Sequence, residues 1–227
     1  MVAMAKILNL ETATTNCSVS ISVDGKLVSI KEQNTANYSH AEQLHIFIEE
    51  ALKAASFSFE DINAIAVSKG PGSYTGLRIG VSAAKGLCFS LDLPLISIPT
   101  LESMANQIKI EEDEVIIPVL DARRMEVYSC VFDNSYNEIR ETKAELIDEN
   151  AFTKFSRFKK VHIIGSGAEK CEEVLNHSNF QFYKEAYPSA KEMARLAQKK
   201  FEAADFEDVA YFEPYYLKDF ILQTKKK

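Results

Sequence analysis

The chain is poor in everything that marks a secreted or membrane-embedded protein. Its 227 residues hold four cysteines, Cys17, Cys88, Cys130 and Cys171. They are widely spaced, with no Cys-x-x-Cys pair, and predict reduced, mostly buried thiols of a cytosolic protein. No apolar run reaches transmembrane length, and the N-terminus lacks a signal-peptide core. Nothing repeats at a solenoid period and nothing is low in complexity. Basic charge is also scarce: the formal net charge is −7, which argues against broad nucleic-acid binding by this chain alone. Lys225, Lys226 and Lys227 are an exception, expected as a solvated terminus.

The familiar catalytic signatures are missing too. No Gly-Lys-Ser/Thr follows a glycine turn at Walker spacing. Gly70 and Gly72 do not complete a dinucleotide fingerprint, because Gly76 arrives one place late. There is no His-Glu-x-x-His and no Gly-x-Ser-x-Gly; Gly165-Ser166-Gly167 has its serine in the wrong frame. His40 and His45 are five apart, so on a helix they diverge by about 140° at 100° per residue. His162 falls in a predicted strand and His177 near a helix end. None of the four makes a chelating pair.

What is present is a strand, a glycine turn and a helix in that order. An apolar run over 62–67 precedes Ser68-Lys69-Gly70-Pro71-Gly72-Ser73-Tyr74-Thr75-Gly76-Leu77-Arg78-Ile79-Gly80. Such a junction gathers free backbone N–H groups at one spot and suits an anion; the glycines serve equally well as turn residues. Gly72, Gly76, Gly80 and Ala84 form a four-residue row along a helix predicted over 73–90. Glycine inside a helix costs about 1 kcal/mol relative to alanine, so something presses close against that row, either the chain's own sheet or another protein's helix.

Apolar–polar alternation around Asp24-Gly25 predicts a hairpin, and strands over 6–10, 17–23 and 27–33 form an antiparallel meander. Ser39 and Glu42 read as a capping box for a helix whose apolar face is Leu44, Phe47, Ile48, Ala51, Leu52 and Ala55. Strands are expected over 62–67 and 95–98, with a short helix from Pro99-Thr100. Beyond an acidic connector, Glu111-Glu112-Asp113-Glu114, strands over 115–120 and 126–133 flank Asp121-Ala122-Arg123-Arg124. A strand over 161–164, the glycine nest 165–167 with its helix, and a final helix capped by Ser189 and Glu192 follow. This is an α/β chain, organised as a lobe over 1–108 and a smaller one over 109–227, onto whose predecessor the final helix can fold back. Two mixed sheets flanked by helices, the second lobe reduced, give the actin-like ATPase (RNase H-like) fold.

Two blocks are similar to those of the TsaB (YeaZ) family: residues 70–80 and Asp121-Ala122-Arg123-Arg124-Met125-Glu126-Val127-Tyr128. Glu11-Thr12-Ala13, Ser39-His40-Ala41-Glu42 and Pro214-Tyr215-Tyr216-Leu217-Lys218 match in order. The resemblance covers essentially the whole chain. It implies a non-catalytic, cytoplasmic scaffold subunit for tRNA N6-threonylcarbamoyladenosine formation. Its partners would be the catalytic paralogue TsaD, the ATPase TsaE, a second copy of itself, and tRNA only within the complex. The family places its interface on the first two helices, which here nominates His40, Leu44, Ile48, Ala51, Leu52, Tyr74, Gly76, Leu77, Gly80, Val81, Ala84 and Leu87, roughly half of them shared with the core. In TsaD-like proteins a His-x-x-x-His metal motif follows the glycine helix and the next strand; here Thr100 and Met104 stand in those places, and hydroxyl and thioether are poor ligands for a catalytic metal. No resident metal or cofactor is therefore expected, beyond weak ATP or ADP binding at a complex interface. The phosphate loop of the fold nominates Glu11, Thr12, Thr14, Gly70, Gly72 and Arg78. Arg78, Arg123, Arg124 and the tail lysines are candidates for phosphate contact; Arg123 and Arg124 serve equally well to pair with the chain's own carboxylates. Two rival readings stay open: an ATPase or metallopeptidase in its own right, and an independent homodimeric regulator.

Overall fold

Alternating apolar residues close the first three strands, β1 (Lys6–Glu11), β2 (Asn16–Val23) and β3 (Lys26–Asn34), into an antiparallel meander. The computed structural model describes residues 4–35 and 40–218; Ser39 of the expected capping box and the tail lysines 225–227 lie outside them. Asp24 and Gly25 both have positive φ, 50° and 69°, as a two-residue hairpin with right-handed strand twist requires.

Helix α1 (His40–Ala55) leads to β4 (Ala64–Gly70), α2 (Tyr74–Leu91) and β5 (Leu95–Pro99). β4 pairs parallel with β1, and β5 with β4, giving the order β3-β2-β1-β4-β5. Short α3 (Thr100–Ala105) crosses to a second sheet built from β6 (Glu114–Asp121), β7 (Glu126–Phe132), β8 (Glu138–Leu146), β9 (Lys160–Ile164) and β10 (Phe180–Tyr183). Between the last two strands lies α4 (Ala168–Val174), and α5 (Ala190–Glu202) ends the regular structure. The second sheet runs β10-β9-β6-β7-β8. Read from its other edge this is the first sheet again: an antiparallel meander, then two parallel strands. That duplication is the actin-like ATPase architecture. The second copy is reduced, with a 3₁₀ turn at Thr153–Phe155 where the first has α1, and seven-residue α4 where the first has eighteen-residue α2.

β8 and β10 have no counterpart among the strands expected from sequence. β8 reads Glu-Ile-Arg-Glu-Thr-Lys-Ala-Glu-Leu and is largely exposed; its charges guard a sheet edge rather than fill a core. β10 is a four-residue opposite edge.

Each sheet is buried on both faces. Leu8, Leu10, Val19, Ile21, Ile65 and Val67 pack under α1 and α2, whereas Ile7, Ala64, Ala66, Ile96 and Ile98 pack against Ala190, Met193 and Ala197 of α5. The last helix therefore completes the first lobe. Leu101 and Met104 of α3 cover the inner face of the second sheet. All four cysteines are free and buried, and burial pushes the Cys88, Cys130 and Cys171 thiols up to about 12.

Candidate partner groove and phosphate-loop region

The phosphate-loop residues come together, but under a roof. β1 ends at fully buried Glu11, whose Oε1 accepts the Ala13 N–H at 2.6 Å and the Ser68 hydroxyl at 2.9 Å. Among the described residues its Oε2 has no hydrogen-bond partner. Desolvation, outweighing those hydrogen bonds, pushes the carboxyl up to about 7. Thr12 Oγ1 donates to the Gly76 carbonyl at 2.8 Å, and the Ser73 N–H donates to the Ala13 carbonyl at 2.7 Å. α2 thus lies directly on loop 12–14. Its first turn is capped from within, Ser73 Oγ accepting the Gly76 N–H at 3.3 Å.

This contact explains the small-residue row. A Cβ on Gly72 would strike the Ala13 carbonyl oxygen, one on Gly76 the Thr12 carbonyl oxygen, and one on Gly80 the Thr12 Oγ1. The row faces the chain's own loop, not a partner. A Gly76→Ala chain is expected to lose on the order of 3 kcal/mol in urea unfolding, because the opposing atom is backbone and cannot yield. Gly70 has φ of 110° and sits against the Tyr215 carbonyl, so its role is a turn that only glycine fits.

Several nominated residues sit elsewhere than expected. His40 is buried and its Nε2 lies 2.6 Å from the Thr14 carbonyl; it secures the loop instead of facing a partner. Leu44, Ile48, Ala51, Leu52, Leu77, Val81 and Ala84 are at most 5% exposed and belong to the first lobe's core. They offer no surface, because each helix must cover its own sheet with its apolar face. Arg78 points away from the loop: it stacks on the Tyr74 ring at 4.6 Å, and Tyr74 in turn packs on Tyr216 with centroids 5.0 Å apart. Both are engaged by the segment after α5, which runs past β5 and α2. There the Glu207 N–H donates to Leu95 O at 2.9 Å, Lys85 Nζ to Phe212 O at 2.9 Å, and the Tyr215 N–H to Lys69 O at 2.7 Å. In the glycine nest 165–167 the backbone donors are also used, Gly165 by Tyr183 O at 2.9 Å and Gly167 by Val119 O at 3.1 Å. Thr100 and Met104 are fully buried.

The open surface lies between α1 and α2. A groove of about 490 Å³ is lined by Ala41, His45, Ile79, Ser82, Ala83, Gly86 and Leu87. Of the nominated interface only Leu87 lines it. Gly86 is exposed, and among the described residues a Cβ there would meet nothing within 4 Å. Phe89, one turn on, is 85% exposed, and Ile46 on α1 is 49% exposed. The sequence signal was available in the helix phase: Gly86 lies two residues, about 200°, beyond Ala84 of the small-residue row. Among the described residues no cluster of three metal-ligating side chains occurs, and no helix is long and apolar enough to cross a membrane.

These features sit in a chain with close parallels. Residues 31–226 match the family described as "TsaD: tRNA N6-adenosine threonylcarbamoyltransferase". The tRNA threonylcarbamoyladenosine biosynthesis protein TsaB of Escherichia coli is 29% identical over 227 residues, covering 97% of each chain. That of Haemophilus influenzae is 36% identical over 123 residues, 54% of this chain and 51% of the relative. The solved YeaZ structure from Pseudomonas aeruginosa shares the fold with a TM-score of 0.77 at 22% identity, over 94% of this chain and all of that one. With the duplicated sheet, the roofed glycine row and a match that runs from end to end, the chain belongs to the TsaB (YeaZ) family, within the wider TsaD family.

Proposed function

We propose that this chain acts in tRNA N6-threonylcarbamoyladenosine biosynthesis as a non-catalytic cytoplasmic scaffold, binding a TsaD-like catalytic paralogue through the α1/α2 groove, with a TsaE-like ATPase joining the pair. The role in that biosynthesis follows from membership of the family. The observation that carries the scaffold reading is Gly86. A helix-interior glycine costs about 1 kcal/mol relative to alanine, and nothing among the described residues requires one there. Gly76 and Gly80 are explained by Thr12; Gly86 is not. It lies between Ala83 and Leu87 in an apolar groove, where a close-approaching helix needs a floor without side chains. A paralogue with the same two helices would present a matching pair of ridges.

Support for a non-catalytic role comes from the placements already described. Thr100 and Met104 are core residues, and loop 12–14 is engaged by α2 and His40. The test is tRNA modification in vitro by the TsaD-like subunit, TsaE-like ATPase and a threonylcarbamoyl-adenylate supply, with and without this chain, and the chain alone assayed for ATP hydrolysis. Strict dependence on an otherwise inert chain is expected. Full modification without it, or turnover by it alone, overturns the proposal.

A further inference from the structure

The turn joining β6 to β7 holds two arginines in a backbone conformation that arginine disfavours. Arg123 and Arg124 have φ of 71° and 50°. A non-glycine residue in the left-handed region costs about 1 kcal/mol or more. Hairpins with two consecutive positive-φ residues are ordinarily built from Asn-Gly or Asp-Gly, and this chain uses Asp24-Gly25 for that purpose at β2–β3. The β6–β7 turn therefore carries a strain that a cheaper sequence avoids.

The strained turn is held firmly from below. Asp121 Oδ1 accepts the Arg123 N–H at 2.6 Å and pairs with Lys170 Nζ at 2.7 Å. Lys170 Nζ also donates to the Arg124 carbonyl at 2.6 Å and the Glu126 carbonyl at 3.2 Å. Glu126 itself is paired with Lys218. The carboxylates beside the turn are thus already neutralised by lysines. The side chains of Arg123 and Arg124 are exposed, and among the described residues neither has a carboxylate within ion-pair distance. Two guanidinium groups with no carboxylate partner among the described residues thus stand on a fixed base, in a chain whose net charge is −7.

We infer that the Arg123–Arg124 turn is a pre-formed site for the phosphate groups of an RNA backbone, the tRNA that is modified. The inference rests on the proposed role in the modifying complex. Guanidinium forks match phosphate oxygens bidentately, and a turn fixed in advance loses little entropy on binding. Charge complementarity favours a polyanion at this turn, where the neighbouring carboxylates are already paired with lysines.

The test is an Arg123→Asn/Arg124→Gly chain assembled with the full complex and titrated with an unmodified tRNA transcript across salt concentrations. The isolated variant is expected to unfold at higher denaturant than the native chain, since the strain is gone. Its complex should bind tRNA about tenfold more weakly at physiological salt, with a salt slope shallower by about one to two. An Arg123→Gln/Arg124→Gln chain, which keeps the native backbone demand, should show the same binding loss without the gain in stability. Unchanged affinity and salt slope in both variants overturn the inference, as does a failure of the variant chain to join the protein complex, which would assign the turn to an acidic protein surface. Omitting the chain altogether separates the two readings: if modification continues without it, the scaffold reading fails, whereas the phosphate site alone fails if modification needs the chain but tolerates both variants.

Discussion

A Gly86→Arg chain is expected to fold as well as the native chain and to lose the proposed TsaD-like partner. Among the described residues nothing lies within 4 Å of a Cβ at this position, and the residue is exposed. Arginine is a better helix former than glycine, so the isolated chain should gain up to about 0.8 kcal/mol. In the assembled pair the same side chain would bury an unpaired charge in an apolar seam lined by Ile79, Ala83 and Leu87. Leaving such a charge unpaired costs on the order of 3 kcal/mol or more, a hundredfold or greater loss of affinity. Sedimentation of mixed subunits and tRNA modification report the two halves of the effect. Native assembly by the variant sinks the groove as partner site. A self-dimer that the variant dissolves while modification persists would instead assign the groove to a second copy of this chain.

The choice of residue 86 matters because neighbouring positions on the same helix report something else. Arginine at Gly80 would drive into Thr12, and at Ala84 into a fully buried site. Both would abolish assembly by unfolding the first lobe and say nothing about a surface.

That contrast also shows where the sequence was informative. The meander, the two parallel strands after it and the helices between them follow from period-two alternation around Asp24-Gly25, from the apolar face of α1 and from the Gly-Pro-Gly junction. The glycine row correctly signals close approach, but its partner is loop 12–14 of the same chain, a contact between residues far apart in sequence that no local pattern encodes. Because the apolar stripe of a helix marks what it buries, reading an interface from Leu44, Ile48, Val81 and Ala84 returned the core. The exposed groove is marked by a weaker signal, Gly86, that becomes legible once the inward phase is known. β8 escaped because its alternating charges resemble a solvated loop, and the strain at Arg123 and Arg124 is a property of φ alone.

Stability is expected to fall as pH rises from 5 to 8, and Glu11→Gln is expected to abolish most of that fall. Glu11 is wholly buried, one carboxyl oxygen has no partner among the described residues, and desolvation raises its folded-state pKa from 4.5 to about 7. The native chain therefore holds the proton more tightly than the unfolded chain does. The stabilisation from the protonated carboxyl is fully present below about pH 4.5 and is lost as pH rises through about 7. A shift of that size corresponds to a loss on the order of 3 kcal/mol. Glutamine keeps an oxygen for the Ala13 N–H and the Ser68 hydroxyl but has no charge to desolvate. Urea unfolding of both chains at pH 5 and pH 8 measures the difference, and an equal slope in the two refutes the assignment. The same experiment tests the loop as a nucleotide site. A magnesium nucleotide seated against Glu11 would favour the charged carboxylate, lower its folded-state pKa and flatten the native slope. A slope that persists with Mg-ATP present is the outcome expected of a loop whose hydroxyl and carbonyl groups already serve α2 and His40.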